Sequence, residues 1–257
     1  MASSQAIAHP HRHWGQSWPP IVIAERGASL YAPENSLLAF RNAVSDGADA
    51  IAMDVMRCGT GEVVVFHEHT LAKFGGGRWD DVATTPLATL SKIDLGRDQT
   101  IPLLSEALDA TAPDVLLNFR LRPAPDRTDE DYAELAMLVM MIATRAGAAE
   151  RVLISASEGA VLAPFVALGV ATAVVVPSMP LRVVGVAQRD PSVVQLELHG
   201  ADAAAVRRWH ARDAAVHLFP ANTASQLAIA WALRVDGVLT NDPAGAREAI
   251  DRLASRA

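Results

Sequence analysis

Short apolar runs, most of them rich in β-branched residues, recur along this chain and alternate with stretches of helical pattern. The strand candidates are 21–25, 51–56, 62–67, 114–121, 151–156, 171–176, 192–198, 215–219 and 237–240. Helical periodicity fills 34–46, 103–111, 130–146, 158–168, 202–213, 223–234 and 243–256. Start signals support two of these helices: Asn222-Thr223 before the 223–234 run, and Pro243 in the first turn of the last. Such alternation predicts a mainly parallel sheet with helices outside it. At 257 residues, 51% of them apolar, the chain has the typical size of one (β/α)8 barrel and enough apolar side chains for a large core. No linker, repeat or low-complexity tract divides it. The expected organisation is an N-terminal arm over 1–20 and one barrel over 21–257.

Nine strand candidates exceed the eight a barrel needs, and one short join accounts for the excess. Little more than Cys58-Gly59-Thr60-Gly61 separates 51–56 from 62–67. A parallel crossover needs about a dozen residues, so this pair is expected to form an antiparallel hairpin. With the turn centred near Thr60-Gly61, Asp54 and His67 fall opposite each other. The stretch from about 68 to 100 then reads as a small insertion, with Gly75-Gly76-Gly77 as a loop within it.

Net charge is −7, which argues against nucleic acid as a main partner but leaves room for a small anion held by a local arginine cluster. The one cysteine, Cys58, excludes an intramolecular disulfide. The first twenty residues lack a continuous apolar segment, and no apolar stretch is long enough to read as a membrane span, so a soluble cytoplasmic protein is expected. His9, His11 and His13 alternate, but with Pro10 among them and no carboxylate nearby they read as a mobile polar arm.

Chemistry in such barrels sits at the carboxyl ends of the strands. The polar residues there are Glu25-Arg26, Asp54, His67-Glu68, Arg120, Arg122, Ser155, Glu197, Asn222 and Thr240-Asn241-Asp242. Several stand in a familiar order. Ile23-Ala24-Glu25-Arg26-Gly27-Ala28, Ala32-Pro33-Glu34-Asn35-Ser36 and Ala39-Phe40 are followed by Gly47-Ala48-Asp49, Asp54-Val55 and Val64-Val65-Phe66-His67. Ile101-Pro102-Leu103-Leu104-Ser105-Glu106-Ala107-Leu108 and Asp236-Gly237-Val238-Leu239-Thr240-Asn241-Asp242-Pro243 complete the series. From about residue 21 to 245 the chain thus resembles the glycerophosphodiester phosphodiesterase family.

The resemblance implies a barrel that cleaves glycerophosphodiesters with two histidines and a divalent cation, calcium or magnesium. The family holds that cation with a Glu-x-Asp pair and a further glutamate. A cation stabilises the charge that builds on the phosphoryl oxygens, and an acid protonates the leaving group. This sequence departs from that set. The first histidine is Glu25, the Glu-x-Asp pair is Ala52-Met53-Asp54, and the third ligand is Arg120; His67, Arg26, Glu34 and Asn35 match the family, and Arg122 keeps the charge of a family lysine. One aspartate is too few for a hard cation, and Arg120 opposes one. No metal or other cofactor is therefore expected.

Three readings follow. Arg26, Arg120 and Arg122 could bind a phosphate while Glu25 and His67 form an acid/base pair, with Glu34, Asn35 and Asp54 in support. That gives metal-independent phosphodiester cleavage or rearrangement. Alternatively the chain is an inactive binder of the same small phosphate or phosphodiester ligand, with Arg26 paired to Glu34 or Asp54 and Arg120 to Glu25 or Asp54. In the third, the pocket serves other acid/base chemistry in biosynthesis. An inward, free Arg120 favours anion binding; a closed ion pair of Arg120 with Glu25 and Asp54 that fills the cavity favours a decayed enzyme or a neutral substrate.

Overall fold

The computed structural model describes residues 14–15, 18–74, 81–122, 127–176 and 191–256. Its elements begin with β1 (Ile21–Glu25), α1 (Leu37–Ser45), β2 (Ala50–Arg57) and β3 (Val63–Val65). The next segment carries α2 (Leu87–Leu90), β4 (Asp94–Gly96) and β5 (Gln99–Thr100). Then come α3 (Leu104–Asp109), β6 (Leu116–Arg120), α4 (Asp129–Arg145), β7 (Val152–Ala156), α5 (Gly159–Ala167), β8 (Ala171–Val176) and β9 (Val193–Glu197). The chain continues through α6 (Ala203–His210), β10 (Ala215–Phe219), α7 (Ala224–Leu233), β11 (Gly237–Thr240) and α8 (Pro243–Ala254).

Eight parallel strands run in the order β1-β11-β10-β9-β8-β7-β6-β2, and pairing of β1 with β2 closes them into a (β/α)8 barrel. The ninth strand, β3, pairs antiparallel with β2 and stands outside the closed ring, as the short 58–61 join requires. Its register differs by one residue from the expected one. Val55 faces Val65 and Met56 faces Val64, so Asp54 lies opposite Phe66, whose amide donates to its carbonyl at 2.9 Å. The strand ends at Val65, and His67 lies on the bend beyond it.

Two apolar layers follow from the alternation along each strand. Outward side chains such as Ile51, Phe119 and Ile154 pack with Phe40 and Phe165 of the helices. Inward ones, including Ile23, Ala50, Leu153, Val193 and Ala215, form a core inside the barrel, closed at the amino ends of the strands by Trp14, which is 1% exposed. Trp14 places the described end of the expected arm inside the fold: its carbonyl accepts from His217 Nε2 at 2.9 Å. Trp18 packs on Trp231 with ring centroids 4.3 Å apart. His9, His11, His13 and Gly75-Gly76-Gly77 lie outside the described residues. The helices carry the caps their sequences announce: Ser36, Thr128, Asp202, Thr223 and Asp242 each accept a hydrogen bond from an amide in the first turn. Among the described residues no helix is long and apolar enough to cross a membrane.

Candidate functional site

The barrel register brings the charged residues together at the carboxyl mouth. Glu25 lies beside Ala52, Asp54 beside Arg120, and Arg120 beside Ser155. Glu25 on β1 and Arg120 on β6 therefore flank β2, Glu25 level with Ala52 and Arg120 level with Asp54. The Arg120 guanidinium reaches across and grips both carboxylate oxygens of Glu25, Nη2 to Oε2 at 3.0 Å and Nη1 to Oε1. Burial works against the Arg120 charge, but Glu25 and then Asp54 outweigh it and raise its pKa above the ordinary guanidinium value.

The turn after β1 sets the next layer. Arg26 and Gly27 both adopt positive φ, 56° and 80°. A Cβ on Gly27 would lie 2.6 Å from the Ala39 backbone carbon, so only glycine lets this turn dock on α1. Asn35 also has positive φ, 57°, and its amide donates to the Arg26 carbonyl at 3.0 Å. This places the buried Asn35 side chain against Asp54. Its Nδ2 donates to Asp54 Oδ2 at 2.9 Å, and its Oδ1 accepts from the Asp54 amide at 3.1 Å.

Asp54 is the hub. Besides Asn35, its Oδ2 faces His67 Nδ1 at 3.2 Å and Arg26 Nε at 3.0 Å. Burial would raise its pKa, but the His67 hydrogen bond, then Arg120 and Arg26, more than offset that and lower it to about 2. Arg26 also donates to Glu34 at 2.6 Å. His67 Nε2 is faced by two guanidiniums, Arg26 Nη2 at 3.2 Å and Arg122 Nη1 at 3.1 Å. Neither arginine can accept, so Nε2 accepts and Nδ1 carries the hydrogen donated to Asp54. The imidazole is thus oriented from below, with its lone pair toward the mouth between two cations. Among the described residues Arg122 has no carboxylate within ion-pair distance, and its hydrogen bonds go to His67 alone.

The eight residues expected to bind phosphate, transfer protons or support them (Glu25, Arg26, Glu34, Asn35, Asp54, His67, Arg120 and Arg122) lie together there, but both Glu25 oxygens are taken by Arg120. Other strand-end residues stabilise loops. Asn222 Oδ1 accepts from the Thr240 hydroxyl at 3.1 Å and the Asn241 amide at 2.9 Å, and Asp242 caps α8. Two features have no signal in the sequence: the choice of Glu25 as the partner of Arg120, and a cavity beside the mouth lined from separate segments. At the positions where the resemblance places the cation's ligands this chain carries Ala52, Asp54 and Arg120, of which only Asp54 offers a carboxylate. Among the described residues no three His, Cys, Asp or Glu side chains are grouped to hold an ion.

The model for the glycerophosphoryl diester phosphodiesterase family matches residues 26–245. The chain belongs to that family. A glycerophosphodiester phosphodiesterase of Bacillus altitudinis is 27% identical over 238 residues, covering 86% of this chain and 94% of that one. The solved structure of an Oleispira antarctica phosphodiesterase, in complex with the product sn-glycerol-3-phosphate, has a TM-score of 0.77 and 25% identity. It covers 90% of this chain and 97% of the other. An uncharacterised Mycobacterium tuberculosis protein is 27% identical over 164 residues, 58% of this chain and 52% of that one. Against that protein and similar curated relatives the match spans about half their length.

Proposed function

We propose that the mouth binds a small phosphate-bearing molecule without a metal, and that the family's cation-assisted hydrolysis is not carried out there. The Glu25–Arg120 pair carries this reading. It puts a covalently attached cation where a carboxylate ligand belongs, and it consumes the carboxylate that stands in place of the first histidine. The anion would meet Arg122 first, then Arg26. The Oleispira relative's glycerol phosphate complex supports the ligand class. Calorimetric titration with sn-glycerol 3-phosphate should show binding that is unchanged by EDTA and at least tenfold weaker in Arg122→Ala. Hydrolysis of glycerophosphocholine that appears only on adding calcium or magnesium would overturn the reading.

A second reading rests on the Asp54–His67 contact, which fixes the imidazole tautomer and aims Nε2 outward, as a proton-transfer group requires. It gives metal-independent turnover of a phosphodiester. Turnover that resists EDTA, is lost in His67→Ala and survives Glu25→Gln would favour it over simple binding.

A further inference from the structure

A second cavity opens beside the mouth, enclosing about 430 Å3. That is within the range of small-molecule sites. Its floor is apolar: Val55 and Met56 from the end of β2, Leu121 from the end of β6, and Leu135 from α4. Val55 and Leu121 are 3% and 2% exposed, so the floor is a continuation of the core rather than a surface crease. Around it stand the guanidiniums of Arg57, Arg122 and Arg127, the carboxylates of Asp81 and Asp131, and His69.

These charges decide what the cavity suits. Arg57 is already paired with Glu134 at 2.5 Å, and Arg127 faces Asp131 at 3.9 Å. A second anionic group entering here would compete with carboxylates in place. Arg122 differs: it lines this cavity, also lines the hollow holding His67 and Arg120, and donates to His67. Arg122 thus joins the two hollows, and a ligand whose phosphate rests on it can extend over the apolar floor of the second.

We infer that this chamber is the subsite for the alcohol portion of the phosphate ligand, and that it selects an apolar alkyl or aryl group over a charged or small polar one. The inference rests on the phosphate-binding reading of the mouth and extends it to the ligand's other half. Each methylene moved from water into such a chamber strengthens binding by about fourfold.

The probes are inorganic phosphate, methyl phosphate and hexyl phosphate, titrated calorimetrically into the full chain. Hexyl phosphate should bind at least tenfold more tightly than methyl phosphate. Leu135→Asp should remove that advantage and leave the affinity for inorganic phosphate unchanged. Ala83 also lines the cavity. Ala83→Leu, which fills the space without a charge, should do the same, so that a folding defect in the first variant does not decide the matter. Phosphate binding with no alkyl preference would overturn the subsite and leave the mouth reading intact. An alkyl preference untouched by both variants would place the chain elsewhere and also overturn it. Failure of all three probes to bind would defeat the mouth reading, and the subsite with it.

Discussion

At Glu25, Ala52 and Arg120 three departures from the family pattern amount to one rearrangement of charge. Glu25 or Arg120 alone would leave a half-buried charge without its partner; together they form a two-pronged ion pair from β1 to β6. Glu25→Gln is therefore expected to destabilise the fold by about 2 kcal/mol in urea denaturation. That lies below the cost for a fully buried pair, because the two side chains retain 17% and 23% exposure. Adding Arg120→Met to that variant should recover most of the loss, since it removes the stranded charge. The reverse rearrangement, Glu25→His with Ala52→Glu and Arg120→Glu, should give calcium binding by titration at least tenfold tighter than any the native chain displays. Asp54 contributes at low pH. Its carboxyl titrates at about 2 in the fold against 3.8 ordinarily, so its stabilisation is complete above 3.8 and is lost as pH falls towards 2. Over that window the native chain should lose about 2 kcal/mol more than Asp54→Asn does.

Among the elements, the turn between β1 and α1 and the β2–β3 hairpin do most to build the site. The turn depends on Gly27, where a side chain would meet both a left-handed φ and the Ala39 backbone. Gly27→Ala should destabilise by about 2 kcal/mol or more and weaken phosphate binding, because Arg26 and Asn35 are hydrogen-bonded across that turn. A thermal melt with a parallel phosphate titration checks both effects. Much of this was legible in the sequence. The strands at 21–25, 171–176, 215–219 and 237–240 lie where their apolar runs stop, since strands buried on both faces need unbroken apolar sequence. The hairpin was legible from its short join, but not its register. One residue of slip depends on turn geometry that composition does not encode, and it was the bend after Val65 that brought His67 to Asp54. β4 and β5 inside the expected insertion passed unread, because Asp94–Gly96 and Gln99–Thr100 are too short to show a pattern. Which acid would pair with Arg120 stayed open for a similar reason: Glu25 and Asp54 both lie within reach by strand order.

For the whole molecule, the barrel has a charged end and an apolar end, and each has its own response to acid. His217 lies fully buried near the amino-end plug, where burial lowers its pKa to about 4 from 6.5 despite the Trp14 carbonyl and Asp236. The fold thus favours the neutral ring: its contribution is complete above pH 6.5 and is lost as pH falls through 4. Stability should drop by about 3 kcal/mol across that interval, and His217→Gln should flatten this part of the profile. The drop comes at higher pH than the one due to Asp54, so the plug should loosen before the mouth. Trp14 fills the barrel at the amino ends of the strands, at the end opposite the arginines. Trp14→Ala should therefore lower the melting temperature while leaving phosphate affinity in the folded protein close to that of the native chain.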